Sequence, residues 1–248
     1  MSKVALVIGA GTTGNIGHAT AAKLHSEGYK VVVADIAFDH IEFTQVLTDV
    51  TNEEEVNGLL KLIKNRYGKL DLIVNSAGVN ILGPIDKYSL EDFNKTIAVN
   101  LTSNYLLLQA YVRAFGKDGV YKKFIAITSD TAMIPKSSTF AYGASKAGAN
   151  QFLRCVAREL NKYHKDPWLV TGLALGRVMT PMDSKTIEDL VEQRNITREK
   201  AEEMLNANIP MGRGLAPEEV AEWVYFLATK GDFASGNIIR VDGGQVQG

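Results

Sequence analysis

Residues 4–17 read VALVIGAGTTGNIG, a short apolar run followed by a loop that contains four glycines. The apolar run Val4–Ile8 is typical of a parallel strand that is buried on both faces. A helical pattern follows the loop, beginning at Ile16 and stopping at Gly28. Strand, glycine loop and helix in this order direct backbone N–H groups and a helix N-terminus towards a phosphate. The stretch therefore predicts an α/β fold that binds a nucleotide.

The second predicted strand, Val31–Asp35, ends in a carboxylate that follows Gly9 by 26 positions. In a dinucleotide-binding fold, an acidic side chain at this place hydrogen-bonds the adenosine ribose hydroxyls. Because no Lys or Arg occurs from Ala10 to Gly17, a ribose 2′-phosphate would meet a carboxylate and no cation. We therefore predict NAD(H) rather than NADP(H). In the simpler alternative, Asp35 is a solvated strand end and the glycines only make turns.

Strand and helix patterns alternate along the rest of the chain. Further strands are predicted at 44–48, 70–74, 124–128, 168–174 and 238–241. Only residues 36–43 separate the second and third strands, so we expect a loop or one helical turn there. Because no Pro/Gly/Ser-rich linker divides the chain, residues 1–248 are predicted to form a single domain. Its fold class is α/β, a doubly wound parallel sheet of about seven strands in three α/β/α layers, with ligands at the carboxyl ends of the strands.

Three helical regions carry more specific expectations. Thr51 and Glu54 have the spacing of a capping box for the helix after the third strand. The buried stripe of that helix is predicted to be Leu59, Leu62 and Ile63. Residues 89–115 predict one long helix or two abutting helices with Asn100 inside an apolar pattern, where an Asn is usually satisfied by the backbone. The polar segment 182–208 follows a strand end and is predicted to be a substrate lid.

Composition and charge exclude several classes of partner. Apolar residues make up 46% and charged residues 22% of the chain, and the formal net charge is −1 with no basic run. We therefore expect no nucleic-acid partner and no membrane partner. Since the sequence contains no membrane-spanning run and no signal or transit segment, we predict a cytoplasmic location. The four histidines have no ligand spacing with one another or with Cys155, so no metal is expected, and Cys155 is predicted to be a core thiol.

A tyrosine and a lysine occur four positions apart in residues 128–146, TSDTAMIPKSSTFAYGASK. Residues at i and i+4 are neighbours on a helix, so the Lys146 ammonium would favour the ionised form of the Tyr142 phenol. To act as acid and base near neutrality, the phenol needs a pKa about 2–3 units below its ordinary value. The preceding strand delivers Ser129 13 positions before Tyr142. Any helix can carry such a pair by chance, so its interpretation depends on the rest of the chain.

Together, these motifs resemble those of the short-chain dehydrogenase/reductase family over essentially the whole chain. The matching features are Asn75-x-Ala77-Gly78, Asn100, Ser129, Tyr142-x-x-x-Lys146, Gly176-x-Val178-x-Thr180 and a closing Val-Asp-Gly-Gly. The resemblance implies a Rossmann-type fold and an enzyme with NAD, or less readily NADP, as cofactor. Its reaction would interconvert a secondary alcohol and a ketone by hydride transfer. It also implies a homo-oligomer, a tetramer or a dimer, with contacts through the helices at 100–115 and 142–162.

By the same resemblance, Asn100, Ser129, Tyr142 and Lys146 form a catalytic tetrad. Tyr142 exchanges a proton with the substrate oxygen, and Ser129 hydrogen-bonds that oxygen. Lys146 lowers the pKa of the tyrosine and holds the nicotinamide ribose, and Asn100 anchors a water for proton relay. The residues implied to contact the cofactor are Gly9, Thr12, Thr13, Gly14, Asn15, Ile16, Gly17, Asp35, Asp49, Val50, Asn75, Ala77, Gly78, Tyr142, Lys146, Gly176, Val178 and Thr180.

The chain departs from the family pattern mainly in its glycine loop. Seven residues, 10–16, separate Gly9 from Gly17, whereas the family has five between its first and last glycines. Asn15 takes the place of the middle glycine, and Asn tolerates a positive φ. The family's Thr, second Asn and Pro are replaced by Ile8, Ser76 and Leu175.

Several branches and classes of function stay open on sequence alone. The long loop is similar to that of the enoyl reductase branch, but that branch has a wider Tyr–Lys spacing. The short connection from Asp35 to Asp49 resembles that of cyclic dihydrodiol dehydrogenases, and 3-oxoacyl-thioester reductases are a general match. A catalytically silent nucleotide-binding or scaffold protein is the alternative of another class, against which the complete Asn/Ser/Tyr/Lys set argues.

Overall fold

The computed structural model describes residues 2–117, 119–164 and 166–246. The strands in these residues are β1 (Val4–Ile8), β2 (Lys30–Asp35), β3 (Thr44–Leu47), β4 (Leu72–Asn75), β5 (Lys122–Ser129), β6 (Trp168–Leu175) and β7 (Ile238–Val241). The helices are α1 (Ile16–Ser26), α2 (Glu53–Tyr67), α3 (Leu90–Ile97), α4 (Ser103–Phe115), α5 (Phe140–Tyr163), α6 (Pro181–Arg194), α7 (Arg198–Asn206) and α8 (Pro217–Lys230). The strands form one parallel sheet in the order β3-β2-β1-β4-β5-β6-β7.

Alternate residues of each strand supply two hydrophobic cores, one on each face of the sheet. In β1, Val4, Leu6 and Ile8 pack into one core, whereas Ala5 and Val7 pack into the other. Helices α2, α4 and α5 cover the first core, and α1 and α8 cover the second. Because successive side chains of a strand point to opposite faces, a strand covered on both sides needs an almost continuous apolar run. The predicted doubly wound, three-layer α/β fold is confirmed.

The order of the strands reverses at β1. From β1 the chain adds β2 and β3 on one side, then returns to place β4 to β7 on the other side. A crevice forms outside the carboxyl ends of the strands at such a reversal, and ligands of this type of sheet bind there. Gly9 follows β1, and Asn75 and Ser129 end β4 and β5. Residues distant in sequence therefore meet at one edge of the sheet.

Helix α2 begins one residue later than the predicted capping box. Its N-cap is Asn52, whose side-chain oxygen accepts hydrogen bonds from the N–H groups of Glu54 (2.9 Å) and Glu55 (3.3 Å). Thr51 instead donates its hydroxyl to Asp49 (2.7 Å). Asn is at least as good an N-cap as Thr, so the prediction chose the wrong one of two adjacent candidates.

Two side chains that were expected to be buried are exposed. Leu62 on α2 is 40% exposed, and Cys155 lies on an exposed part of α5. Each helix buries only one stripe of its surface, and positions one residue away from that stripe are rotated by about 100° towards solvent. The prediction of a core thiol at Cys155 was wrong for this reason.

The connections agree with the coarse prediction and refine it. Residues 36–43 contain no helix. Helices α3 and α4 are joined by a π-helical turn, Ala98–Thr102, which contains Asn100. π-Helical turns are rare and often occur at functional sites, where the extra residue changes the direction of a side chain.

The segment 182–208, predicted to be a lid, contains most of α6 and all of α7. None of the described helices has the length and hydropathy needed to span a membrane.

Candidate active site

The glycine loop lies between β1 and α1. Asn15 is the N-cap of α1: its side-chain oxygen accepts the N–H of His18 (2.7 Å), and its amide donates to the carbonyl of Gly9 (3.1 Å). Asn15 has φ of −84°, and the positive values belong to Gly9 (75°) and Gly14 (77°). Asn15 was expected to take the place of the family's middle glycine with a positive φ. That expectation was wrong, since Asn15 has a negative φ and acts as a helix cap.

The start of α1 fits a dinucleotide phosphate. A Cβ atom at Gly17 would lie 2.3 Å from the carbonyl oxygen of Gly9, so only glycine permits this contact between helix and strand. The first turn of α1 contains no acidic residue. Its free N–H groups and its dipole can therefore act on an anion, and no carboxylate of the helix itself occupies them. Thr12 and Thr13 are exposed at this opening, and Gly14 and Ile16 are partly exposed.

Two carboxylates predicted to contact the cofactor lie at the end of β2 and just after β3. Asp35 accepts hydrogen bonds from the backbone N–H groups of Gly11 (2.8 Å) and Ile36 (2.7 Å). Asp49 is exposed and accepts the N–H of Thr51 (2.9 Å), whereas Val50 beside it is buried. These strand ends are neighbours in the sheet, so the residues can form one binding surface.

Asn75 holds the turn after β4 and does not face the opening. Its side chain is buried, donates to Ser103 Oγ (3.2 Å) and Asn104 Oδ1 (2.9 Å), and accepts the N–H of Ala77 (3.2 Å). Gly78 follows on the other side of the turn. It borders two residues of the predicted tetrad: a Cβ built there would lie 3.5 Å from both Asn100 Oδ1 and Lys146 Nζ. Asn75 thus fixes the shape of the turn after β4.

Asn100 connects the π-helical turn with two other elements. Its side-chain oxygen accepts the N–H of Val79 (2.9 Å), and its amide donates to the carbonyl of Val79 (2.9 Å) and to Ser145 Oγ (3.0 Å). The Asn100 backbone carbonyl accepts from Asn104 Nδ2 (3.0 Å). A carbonyl oxygen has two lone pairs, so this group keeps the capacity to hold a water.

Ser129 lies at the end of β5 in a cluster of polar groups. Its Oγ accepts hydrogen bonds from the N–H (3.2 Å) and the hydroxyl (2.9 Å) of Thr131, and donates to Asp130 Oδ1 (3.1 Å). The Asp130 side chain is buried, and Lys136 Nζ contacts both of its carboxylate oxygens (3.0 and 2.8 Å). The negative charge of Asp130 and the positive charge of Lys136, which compensates it, thus lie close to Ser129.

Tyr142 and Lys146 lie on α5 facing Ser129. Lys146 Nζ is 5.5 Å from the centre of the Tyr142 ring and donates to the carbonyl of Ile127 (2.9 Å). Burial raises the pKa of Tyr142 to about 12; a hydrogen bond with Ser129 opposes this shift, and the Asp130 charge adds to it. Burial also lowers the pKa of Lys146 to about 8. The predicted downward shift of the Tyr142 pKa is therefore not found in the protein by itself, because burial outweighs the neighbouring groups.

The loop after β6 is joined to the predicted lid. Thr180 is the N-cap of α6, and Gly176 donates its N–H to the carbonyl of Val241 (3.1 Å). Between them, the Arg177 guanidinium makes two hydrogen bonds to Asp183 (both 2.8 Å) and one to Asn206 (2.7 Å). Both charged side chains are about nine-tenths buried. One arginine thus ties the loop to both lid helices.

Reasoning from the sequence missed four charged residues of this region. They are Asp130, Lys136, Arg177 and Asp183. Each is adjacent in sequence to a residue that was identified, or lies within a few positions of it, but no spacing rule signals that the charges are paired, or that Asp130, Arg177 and Asp183 are buried. The described residues contain no group of three or more His, Cys, Asp or Glu side chains that could hold a metal ion.

Comparison with known proteins decides the family. A family model described as enoyl-(acyl carrier protein) reductase matches residues 9–245. The chain is 33% identical to a 3-oxoacyl-[acyl-carrier-protein] reductase of Synechocystis, over 99% of this chain and 97% of that one. The chain belongs to the short-chain dehydrogenase/reductase family. It is accordingly an oxidoreductase of the class that acts on CH–OH groups with NAD(P).

Two further similarities extend over almost the whole chain. Sorbitol-6-phosphate 2-dehydrogenase of Escherichia coli is 28% identical over 99% of both chains. The crystal structure of an actinorhodin polyketide ketoreductase variant with NADPH has a TM-score of 0.87 and 27% identity, covering 98% of this chain and 97% of that one. Family members named for different substrates are thus similar to this chain to nearly the same degree.

Proposed function

We propose that this protein is an NAD(H)-dependent dehydrogenase/reductase that interconverts a secondary alcohol and a ketone, with Tyr142 as acid and base. The observation that carries the proposal is the convergence of Tyr142, Ser129 and Lys146 beside Gly78, at the edge of the sheet where the glycine loop opens. A proton-transferring group and a nucleotide-binding loop on one edge are what a hydride-transfer reaction requires.

The nicotinamide ring of the cofactor supplies the hydride acceptor and donor when bound. Tyr142 takes the hydroxyl proton during oxidation and returns it during reduction. Ser129 holds the substrate oxygen by a hydrogen bond and stabilises its developing negative charge. Lys146 places a positive charge about 5.5 Å from the tyrosine ring, and this charge opposes the upward shift of the Tyr142 pKa when a substrate is present.

The preference for NAD(H) follows from the charges around the adenosine end. Asp35 is half-buried at the end of β2 and can accept hydrogen bonds from ribose hydroxyls. Neither the glycine loop, residues 10–17, nor the segment 36–48 contains a Lys or Arg. A 2′-phosphate would be placed near a carboxylate without a cation from either segment, which favours a cofactor that has only hydroxyls there.

We also propose that the chain forms a homo-oligomer through the outer faces of α4 and α5. Tyr105 on α4 is 46% exposed, and its ring contacts that of Phe152 on α5 at a centroid distance of 6.5 Å. Two adjacent helices with aromatic rings on a shared outer face offer apolar area of the kind found in the core of protein interfaces.

The proposed function is tested by Tyr142→Phe. The variant is expected to bind NADH with a Kd within about twofold of the wild type, since the phenol oxygen carries little of the binding, and to lose at least about a thousandfold in turnover. Tyr163→Phe, the same change at an exposed position of α5, is the matched control. Substrates come from a screen of polyols, sugars, hydroxyacyl thioesters and cyclic dihydrodiols with NAD⁺. Turnover by Tyr142→Phe close to the wild-type rate would refute the role of Tyr142.

A further inference from the structure

The glycine loop of this chain is two residues longer than the family pattern, and the extra length is held by the connection between β2 and β3. Thr13 donates its N–H to both oxygens of Asp39 (2.9 and 3.2 Å), and its hydroxyl also donates to Asp39 (2.8 Å). In return, Asp39 donates its backbone N–H to the carbonyl of Gly11 (2.9 Å). One residue of the connection therefore makes reciprocal bonds with the loop.

The two segments are packed closely as well as hydrogen-bonded. A Cβ atom at Gly11 would lie 1.9 Å from the carbonyl oxygen of Ala37, an overlap that no side chain could tolerate. His40 contacts the carbonyl of Ala10 through Nε2 (2.8 Å), and its ring packs edge-on against His18 (centroids 4.8 Å apart). The connection 36–43, which was expected to be a loop or one helical turn, thus supports the glycine loop.

This arrangement brings a second carboxylate to the adenosine end. Asp35 binds the backbone N–H of Gly11, and Asp39 binds that of Thr13. Because two residues span at most about 7 Å, the two bound nitrogens are no further apart than that. Adding one hydrogen bond of about 3 Å at each end puts the two carboxylates within roughly 13 Å of each other, and unit charges at that separation interact by about 1 kcal/mol near a protein surface, an interaction that salt weakens. The hydrogen bonds from Thr13 lower the pKa of Asp39, so it is ionised at neutral pH.

We propose that Asp39 is a specificity-determining and positioning residue: it holds the lengthened glycine loop and, together with Asp35, excludes a cofactor that carries a 2′-phosphate. This inference rests on the proposed function, because it assumes that a dinucleotide binds at the glycine loop. The inference adds a second residue to Asp35, the acid at the end of β2. Asp39 acts on the cofactor both through its own charge and by holding Thr13 of the glycine loop in place.

Two substitutions separate the charge of Asp39 from its hydrogen bonds. Asp39→Asn keeps a side-chain oxygen that can accept from Thr13 and removes the charge. We expect its Kd for NADH to stay within about twofold of the wild type and its Kd for NADPH to fall about threefold to tenfold. Asp39→Ala removes the acceptor as well, so its Kd for both cofactors is expected to rise. Glu42→Gln is the control: it removes an exposed negative charge of the same segment, whose carboxylate pairs with His18 (3.2 Å).

Binding is measured by the fluorescence of NADH and NADPH, without any substrate, at about pH 8, where histidine side chains are commonly neutral. Repeating the titrations at about 0.5 M salt should reduce the effect of Asp39→Asn on NADPH, because a charge effect is screened and a purely structural one is not.

An equal change in both Kd values in Asp39→Asn, no change in either, or the same shift in Glu42→Gln would overturn the inference while leaving the proposed function intact. If the wild type bound neither NADH nor NADPH, the proposed function would fail and this inference with it.

Discussion

Tyr142 is held in a surrounding that keeps its proton in place. Burial and, to a smaller extent, the carboxylate of Asp130 raise the pKa of Tyr142 to about 12, against a hydrogen bond with Ser129. Oxidation needs the phenolate and reduction needs the phenol, so the two directions depend on pH in opposite ways: oxidation becomes faster as pH rises towards the pKa, and reduction becomes slower.

We predict that Asp130→Asn shifts both pH profiles of kcat to lower pH. Removing the negative charge stabilises the Tyr142 phenolate, so oxidation at a fixed alkaline pH becomes faster. If the pKa of Tyr142 falls by about one unit, the rate rises by up to about tenfold. Lys136→Gln removes the cation that compensates Asp130 and should shift the profiles to higher pH. Profiles measured with saturating cofactor in both directions test this. Shifts of the same sign in the two variants would contradict it.

Lys146 is expected to cost folding stability at neutral pH. Its pKa is lowered from 10.5 to about 8, so below pH 8 the folded protein carries a buried charge that the unfolded chain carries in water. This cost is about 3 kcal/mol below pH 8, and it decreases as pH rises from about 8 towards 10.5, where the unfolded chain binds the additional proton.

We therefore predict that Lys146→Met unfolds at higher urea concentration than the wild type at pH 7. The gain should be about 2 kcal/mol, after allowing for the lost hydrogen bond to Ile127, and it should diminish towards pH 10. Lys61→Met, which alters an exposed lysine of α2, is the comparison. A destabilised Lys146→Met at pH 7 would show that the lysine contributes to folding instead.

At the scale of elements, the Arg177 side chain joins both α6 and α7 to the loop after β6. The Arg177 guanidinium binds Asp183 on α6 and Asn206 on α7, and the ion pair is about nine-tenths buried. Loss of one partner of a buried pair leaves the other charge without compensation, which costs about 3–5 kcal/mol. The position of the predicted lid, residues 182–208, therefore depends on Arg177.

We predict that Arg177→Met increases hydrogen exchange of the amides in α6 and α7 by at least about tenfold, with little change in β1 or α1. The reason is that local opening of the two helices no longer has to break the buried pair. Exchange followed by mass spectrometry measures this. Arg198→Met removes an exposed pair with Glu202 on α7 and should leave exchange nearly unchanged, since exposed pairs contribute little. If the amides of α6 and α7 exchanged as slowly in Arg177→Met as in Arg198→Met, the anchoring role of Arg177 would be refuted.

At the scale of the whole molecule, we predict that Phe152→Glu weakens self-association. A carboxylate on the shared outer face of α4 and α5 would have to be desolvated in the proposed interface, so the oligomer should dissociate at protein concentrations about tenfold higher than in the wild type. Light scattering after size-exclusion chromatography measures the mass. Leu62→Ser, which alters an exposed apolar side chain of α2, is the control. A monomeric wild type, or dissociation in the control alone, would contradict the proposed interface.

The class of fold was accessible from local patterns. Runs such as Val4–Ile8 are apolar because both faces of a parallel strand are covered, and the i, i+4 spacing of Tyr142 and Lys146 places both on one helix face. Such rules depend on residues close together in the chain. They were less accurate where adjacent positions compete, as at Thr51 and Asn52, or at the border of a buried stripe, as at Cys155.

Sequence alone thus determined the α/β sheet, the glycine loop with the acid at the end of β2, and the residues that meet at the carboxyl edge. Only the tertiary structure decided the direction in which the Tyr142 pKa is shifted, the contact of Asp39 with Thr13, and the anchoring of two helices by Arg177. The physical reason is that burial and charge pairing depend on which distant segments come together in space. A pattern within one segment does not contain that information.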